Sequence, residues 1–195
     1  MKTILTLVLA SSLAGFAAAC GTSENTNTGT ATNPGNAPKT AARDDVPPSV
    51  HAVFPDAQSI TKDHKDLTPA QIAEIEKETG RKPPDTDHHA YLAFSTTGGA
   101  RKQIGAASEI AVSGKHVVIV YESRDGLPYI KEVRTEGVAQ AFLDQFKGKS
   151  HDEKYQIGQD LKAQGVDEAT AKAIASAIHV DILTMQTVYG ASHTH

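Results

Sequence analysis

Apolar residues along this chain fall into a few short, separable patterns, and the densest lies within residues 115–149. His116-Val117-Val118-Ile119-Val120-Tyr121 is a β-branched run between turn signals, which predicts a strand. Asp125-Gly126 supplies a turn, because glycine accepts positive φ and aspartate can bond its own backbone. Residues 129–134 (YIKEVR) return as a second strand. After Gly137, Val138, Phe142, Leu143 and Phe146 recur at i, i+4, i+5 and i+8, one apolar helix face that Gly148 is placed to close. A hairpin with a packed helix is the smallest unit here able to bury a core.

The same reading extends outward. Val53-Phe54-Pro55-Asp56-Ala57 opens the globular part. Thr68 is a helix N-cap, Pro69 fits the first helical position and Gln71 completes a capping box, with Leu67 and Ile72 as a hydrophobic staple. Gly80 ends that helix. Residues 89–96 and 103–112 read as strands around the Gly98-Gly99 turn. A polar stretch with Tyr155, Ile157 and Leu161 follows as a short helix or loop. From Asp167 a long helix carries Ala169, Ala173, Ile174, Ala177, Ile178 and Ile182 on one face. The order α-β-β-β-β-α-α, strands adjacent, predicts an α+β domain: an antiparallel sheet packed with helices.

The N-terminus follows another pattern. A weakly positive start, the apolar run of residues 4–10 and the small residues before Cys20 form a secretory signal, too short to span a bilayer. A lone cysteine after Ala17-Ala18-Ala19 resembles the lipobox of bacterial lipoproteins, in which the thiol is lipidated and becomes the mature N-terminus. Ala17 replaces the usual leucine, which leaves ordinary signal cleavage as the alternative. Gly21 is not the aspartate that retains lipoproteins at the inner membrane, so the resemblance slightly favours the outer one. Residues 21–45 are rich in Thr, Asn, Gly, Ala and Pro without apolar period, the composition of a disordered tether. The expected organisation is a signal peptide over 1–20, a linker over 21–45, one domain over 46–190 and a tail over 191–195.

Composition narrows the chemistry. The formal charge is −4 over 195 residues, which gives no electrostatic footprint for nucleic acid. One cysteine excludes an intrachain disulfide, and no CxxCH is present for covalent haem. His51, His64, His88, His89 and His116 match no zinc spacing and read as solvated side chains; no metal is assigned. His193 and His195 fall in the tail, and His179 and Met185 read as packing residues. No Ser-His-Asp order, paired-carboxylate motif or P-loop can be picked out.

The order of FPDA (54–57), LTPAQIAEIEKETG (67–80), VVIVYESRDGLPYIKEVRTEG (117–137) and FLDQFKGK (142–149), then a small-residue helix, resembles the FMN-binding domain family. That family includes FMN-carrying subunits of sodium-pumping NADH:quinone reductase and related electron-transfer complexes. The resemblance implies an exported, lipid-anchored flavoprotein of the periplasmic side, exchanging electrons with a redox partner protein. The family's signature, Ser/Thr-Gly-Ala-Thr-x-Thr/Ser, carries FMN as a phosphoester on its last hydroxyl, installed by a flavin transferase. With one residue inserted, Gly165 matches the motif glycine and Thr170 the receiving hydroxyl. Without it, Ala169-Thr170 matches the inner Ala-Thr and Lys172 stands where the hydroxyl belongs. Glu136 matches a Glu-Pro position near the flavin, although Gly137 replaces the proline. Asp167 and Glu168 place two carboxylates beside any phosphate, a Coulomb cost on the order of 1 kcal/mol per close pair. The alternative is therefore a non-enzymatic lipoprotein, a binding or assembly module on the same fold without flavin.

Overall fold

The computed structural model of the chain describes residues 45–191. The signal region, Cys20, the linker up to residue 44 and the end of the tail, with His193 and His195, lie outside the described residues. Five strands form one antiparallel sheet in chain order. They are β1 (Ser59–Asp66), β2 (Asp87–Ser95), β3 (Lys102–Val112), β4 (Lys115–Arg124) and β5 (Leu127–Thr135). Helix α1 (Pro48–Val53) precedes the sheet and α2 (Pro69–Thr79) joins β1 to β2. After β5 come α3 (Gln140–Leu143), a 3-10 turn over Asp144–Phe146, and α4 (Glu168–Tyr189). The domain is α+β, an antiparallel sheet packed with helices.

Side chains alternate across a strand, and here each face of the sheet has its own helix. Val117, Ile119 and Tyr121 of β4 share a core with Ile174, Ile178 and Ile182 of α4. Val118 and Val120 turn the other way, onto Val50 of α1 and Phe54. Burial on both faces is why residues 117–121 read as an unbroken apolar run.

Two elements depart from the sequence expectation, which had four strands and no helix before residue 67. β1 has the sequence SITKDHKD, mostly exposed, and offers no apolar period. It is an edge strand held by backbone pairing to β2 from Ser59↔Phe94 to Asp66↔Asp87, so its side chains need not be apolar. Charges on such an edge also discourage pairing with a foreign strand. α1 is six residues long and rests on the single fully buried Val50.

The capping box of α2 forms as expected. The Thr68 hydroxyl accepts from Gln71 N–H at 3.3 Å, and Gln71 Oε1 accepts from Thr68 N–H at 2.9 Å. Leu67 and Ile72 pack in one cluster with Val180, and Gly80 closes the helix at φ 72°. The helix expected after Gly137 forms over residues 140–146, with its second half tightened to the 3-10 turn, and Gly148 follows at φ 80°. Its apolar face is still buried, with Phe142, Leu143 and Phe146 in the core. The stretch around Tyr155, Ile157 and Leu161 is loop, tied by an isolated Ile157↔Leu161 bridge.

A file of rings fixes this irregular segment to α4. Phe142 meets Phe146 edge-on at 5.3 Å, Phe146 lies near Tyr155 at 6.1 Å, and Tyr155 stacks on His179 at 5.0 Å. Burial, reinforced by Lys154, holds the His179 imidazole below its ordinary range. A histidine depressed in the fold contributes stability that is present above the unfolded value, about 6.5, and is lost as pH falls, when the unfolded chain takes the proton. Thermal melts at pH 7.5 and 5.5 should therefore show a loss at the lower pH that shrinks in His179→Gln. An unchanged loss in that variant would contradict it.

Candidate functional site

The resemblance places its site at the start of α4, and the local structure there is well defined. Gly165 adopts φ 70°, and a Cβ on it would lie 2.8 Å from that of Ala139. The loop before α4 therefore adjoins the loop three residues beyond Glu136. Gly137 has φ 66°, a value closed to proline, so this turn differs from one that a Glu-Pro pair would make. Glu136 is exposed and lines an open cavity on the α1 side with Lys115 and Arg134. Gly165 and Ala169 are exposed and Thr170 is half-buried. Glu136 and Thr170 share none of the cavities described below.

Asp167 is the N-cap of α4 and its carboxylate accepts from Thr170 N–H at 2.9 Å. That bond first, and the Thr170 hydroxyl second, hold the carboxyl below its ordinary range. Glu168 pairs with Lys172, the only cation of the first helical turns. This end of the helix thus offers a hydroxyl but no cradle for a free phosphate: the dipole is already answered by an acid. A phosphate on the Thr170 hydroxyl would stand beside the Asp167 carboxylate that this hydroxyl already bonds, with Lys172 the nearby cation. A carboxylate depressed in the fold stabilises above its unfolded pKa, about 3.9, and that contribution disappears as pH falls through the folded value. Asp167→Asn, an equally good cap, should leave the neutral-pH melting temperature almost unchanged and flatten the acid loss below about pH 4. Melts between pH 6 and 3 check this; a steeper acid loss in the variant would contradict it.

Sequence reading missed the polar centre of the domain. Asp181 lies midway along α4 and is 4% exposed, facing the sheet. Its Oδ2 accepts hydrogen bonds from Ser108 Oγ on β3 and Tyr121 Oη on β4. Burial and the neighbouring Asp181 push the Tyr121 phenol well above its usual range, so it remains a donor. His88 of β2 stands on the other side of the carboxylate, Nδ1 to Oδ1 at 3.9 Å, with Nε2 3.3 Å from Met185 Sδ. His88 is 11% exposed, which corrects the reading of it as a solvated histidine; His64, at 67%, fits that reading. One turn beyond Met185, Tyr189 Oη donates to Asp63 Oδ2 of β1 at 3.0 Å, so α4 is tied by polar contacts to four strands. The available signal was a single acid on the helix side otherwise given to Ile174, Ile178 and Ile182.

A cavity of about 590 Å³ runs along this side of α4. Ala173, Ala177, Asp181 and Thr184 line it from the helix, His88 and Ile110 from the sheet, and Arg81 and Lys82 from the loop after α2. Its volume is within the range of about 300–1,000 Å³ common for small-molecule sites. The spacing 170, 173, 177, 181, 184 keeps to one helix stripe, so Thr170 stands at its head one turn before the cavity begins. A second cavity, about 760 Å³, is lined by Tyr121, Met185 and Tyr189 at the other end of the helix. At 1.5 Å per residue Met185 is about 22 Å from Thr170, too far to belong to the same stripe end.

Among the described residues no group of three or more His, Cys, Asp or Glu is placed to hold a metal ion, and no helix is long and apolar enough to cross a membrane. No family model, no curated protein and no solved structure matches this chain.

Proposed function

We propose that this chain is an exported, lipid-anchored FMN-binding domain that passes electrons to a partner protein outside the cytoplasm. The ordered resemblance motivates the reading. The observation that carries it is the cavity along α4, whose small-residue stripe begins one turn after the Thr170 hydroxyl. Thr170 is where a phosphoester would form, and Ala173 and Ala177 leave room for a flat ring against the helix. Arg81 and Lys82 are the arginine and lysine of the lining; Lys82 pairs with Glu76 at 3.8 Å, so Arg81 is the group offered to a phosphate held without a covalent bond. When bound, FMN supplies one- and two-electron chemistry, while the protein holds it and shields it from water.

The test uses the full chain purified from a host supplied with flavin and a flavin transferase. Flavin absorbance with a fluorescent band on a denaturing gel, lost in Thr170→Ala, would support covalent attachment at Thr170. Absorbance without a fluorescent band would support FMN held non-covalently. A colourless protein would overturn the reading. Partition into detergent that is lost in Cys20→Ala tests the anchor.

The second reading is a flavin-free binding or assembly module on the same fold, reached if the protein is colourless. It is favoured by one observation: the Asp167 carboxylate occupies the Thr170 N–H that a phosphate would use.

A further inference from the structure

Asp181 has one oxygen satisfied and one open. Ser108 and Tyr121 both donate to Oδ2. Oδ1 accepts no hydrogen bond among the described residues, and His88 Nδ1, at 3.9 Å, is beyond hydrogen-bond reach. Oδ1 is not sealed in the core but faces the cavity, where a donor that enters can reach it. The side chain is only 4% exposed, yet it lines the cavity beside α4, as does His88. Whatever enters that cavity meets the Asp181 carboxylate, apolar sides from Ile110, Val112, Ala173 and Ala177, and the acids Asp85, Asp87 and Glu109.

The geometry points to Asp181 as a specificity-determining acceptor that reads an N–H on the edge of a flat heterocycle bound in this cavity. For the flavin proposed above, on which this inference rests, that donor is the imide N3–H of the pyrimidine ring. Position along the helix agrees. Asp181 follows Thr170 by eleven residues, about 16 Å along the axis and within about 20° of the same face. That is the reach of an extended FMN from its phosphate to its imide edge. A carboxylate suits this edge because the imide nitrogen is the one donor between two carbonyls. The same carboxylate would repel an anionic ring and has nothing to accept from an N3-alkylated one.

The experiment is a comparison of riboflavin with N3-methylriboflavin, followed by flavin fluorescence during titration with the full chain made in a host lacking a flavin transferase. Riboflavin should bind tighter by about tenfold to a hundredfold, the order expected when an ionic hydrogen bond is lost and its buried acceptor left open. Asp181→Asn gives the complementary result. Ser108 and Tyr121 claim the amide oxygen, so the amide N–H₂ takes the place of Oδ1 and an acceptor becomes a donor. Riboflavin binding should fall and the preference over the methylated ligand should vanish, in a variant checked for folding by its melting curve. If Asp181→Asn does not fold, the two ligands on the unaltered chain decide. Equal affinity for both would overturn this inference and leave the flavin reading standing. Binding of neither, in a protein that is also colourless, would overturn both.

Discussion

Asp181→Ala should lower the unfolding free energy by about 3 kcal/mol, because it removes one acceptor and orphans two buried donors at once. Ser108 is 1% exposed and Tyr121 2%, so both hydroxyls depend on this carboxylate for their hydrogen bonds. Each unsatisfied group costs about 1–3 kcal/mol, and at 2–4 °C per kcal/mol the melting temperature should fall by roughly 10 °C. Tyr121→Phe or Ser108→Ala, each removing only one donor, should cost about 1 kcal/mol. The sharper comparison is a triple change, Asp181→Leu with Tyr121→Phe and Ser108→Ala. It leaves no polar atom unpaired and should recover much of the loss, since replacing a whole buried polar cluster is far milder than breaking it. Denaturant melts decide: a single Asp181→Ala effect under about 0.5 kcal/mol would mean that the cluster holds nothing together.

Phe142→Ala is expected to cost about 3–5 kcal/mol, the range for deleting a fully buried aromatic side chain. Phe142 is 0% exposed and stands at the head of the ring file that runs through Phe146 and Tyr155 to His179. The segment after α3 is held by turns and by Gly148 and Lys149 pairing with Ile130 of β5, and these rings join it to α4. The loss should therefore show locally as well as globally. Amide exchange should accelerate first around residues 146–161, ahead of β3 and β4. Uniform acceleration across the sheet would show instead that the segment and the sheet open as one unit.

What could be read from the sequence depended on whether a residue's neighbours in space were also its neighbours in the chain. The capping box at Thr68 and Gln71, the Asp125-Gly126 hairpin and the Asp167 cap are all local events, and each lies where its residues predicted. β1 escaped because its stability comes from backbone pairing with residues 87–94, which leaves its own side chains free to be polar. The 3-10 geometry of residues 144–146 is hidden because an apolar period does not tell a tight turn from an α-helical one. Asp181 escaped for the opposite reason to β1. Its partners Ser108 and Tyr121 are 73 and 60 positions away, and an acid among isoleucines has no meaning until the fold brings those hydroxyls to it. Gly165 and Glu136 could be named from resemblance, but only the fold brings their loops together and only the fold puts Glu136 on the α1 side.

A sheet whose strands pair strictly in chain order has a consequence for the order of assembly. β2 to β5 close over short loops and β1 joins β2 across α2, so the five strands can pair as they leave the ribosome. The helix that covers their larger apolar face is the last of the described elements to emerge. Until α4 arrives, Val117, Ile119, Ile130 and Val133 face water on a sheet that is otherwise complete. The interval between β5 and α4 is thus the period of greatest exposure to misassociation, and a chaperone that recognises this domain would have its best target in that half-covered sheet.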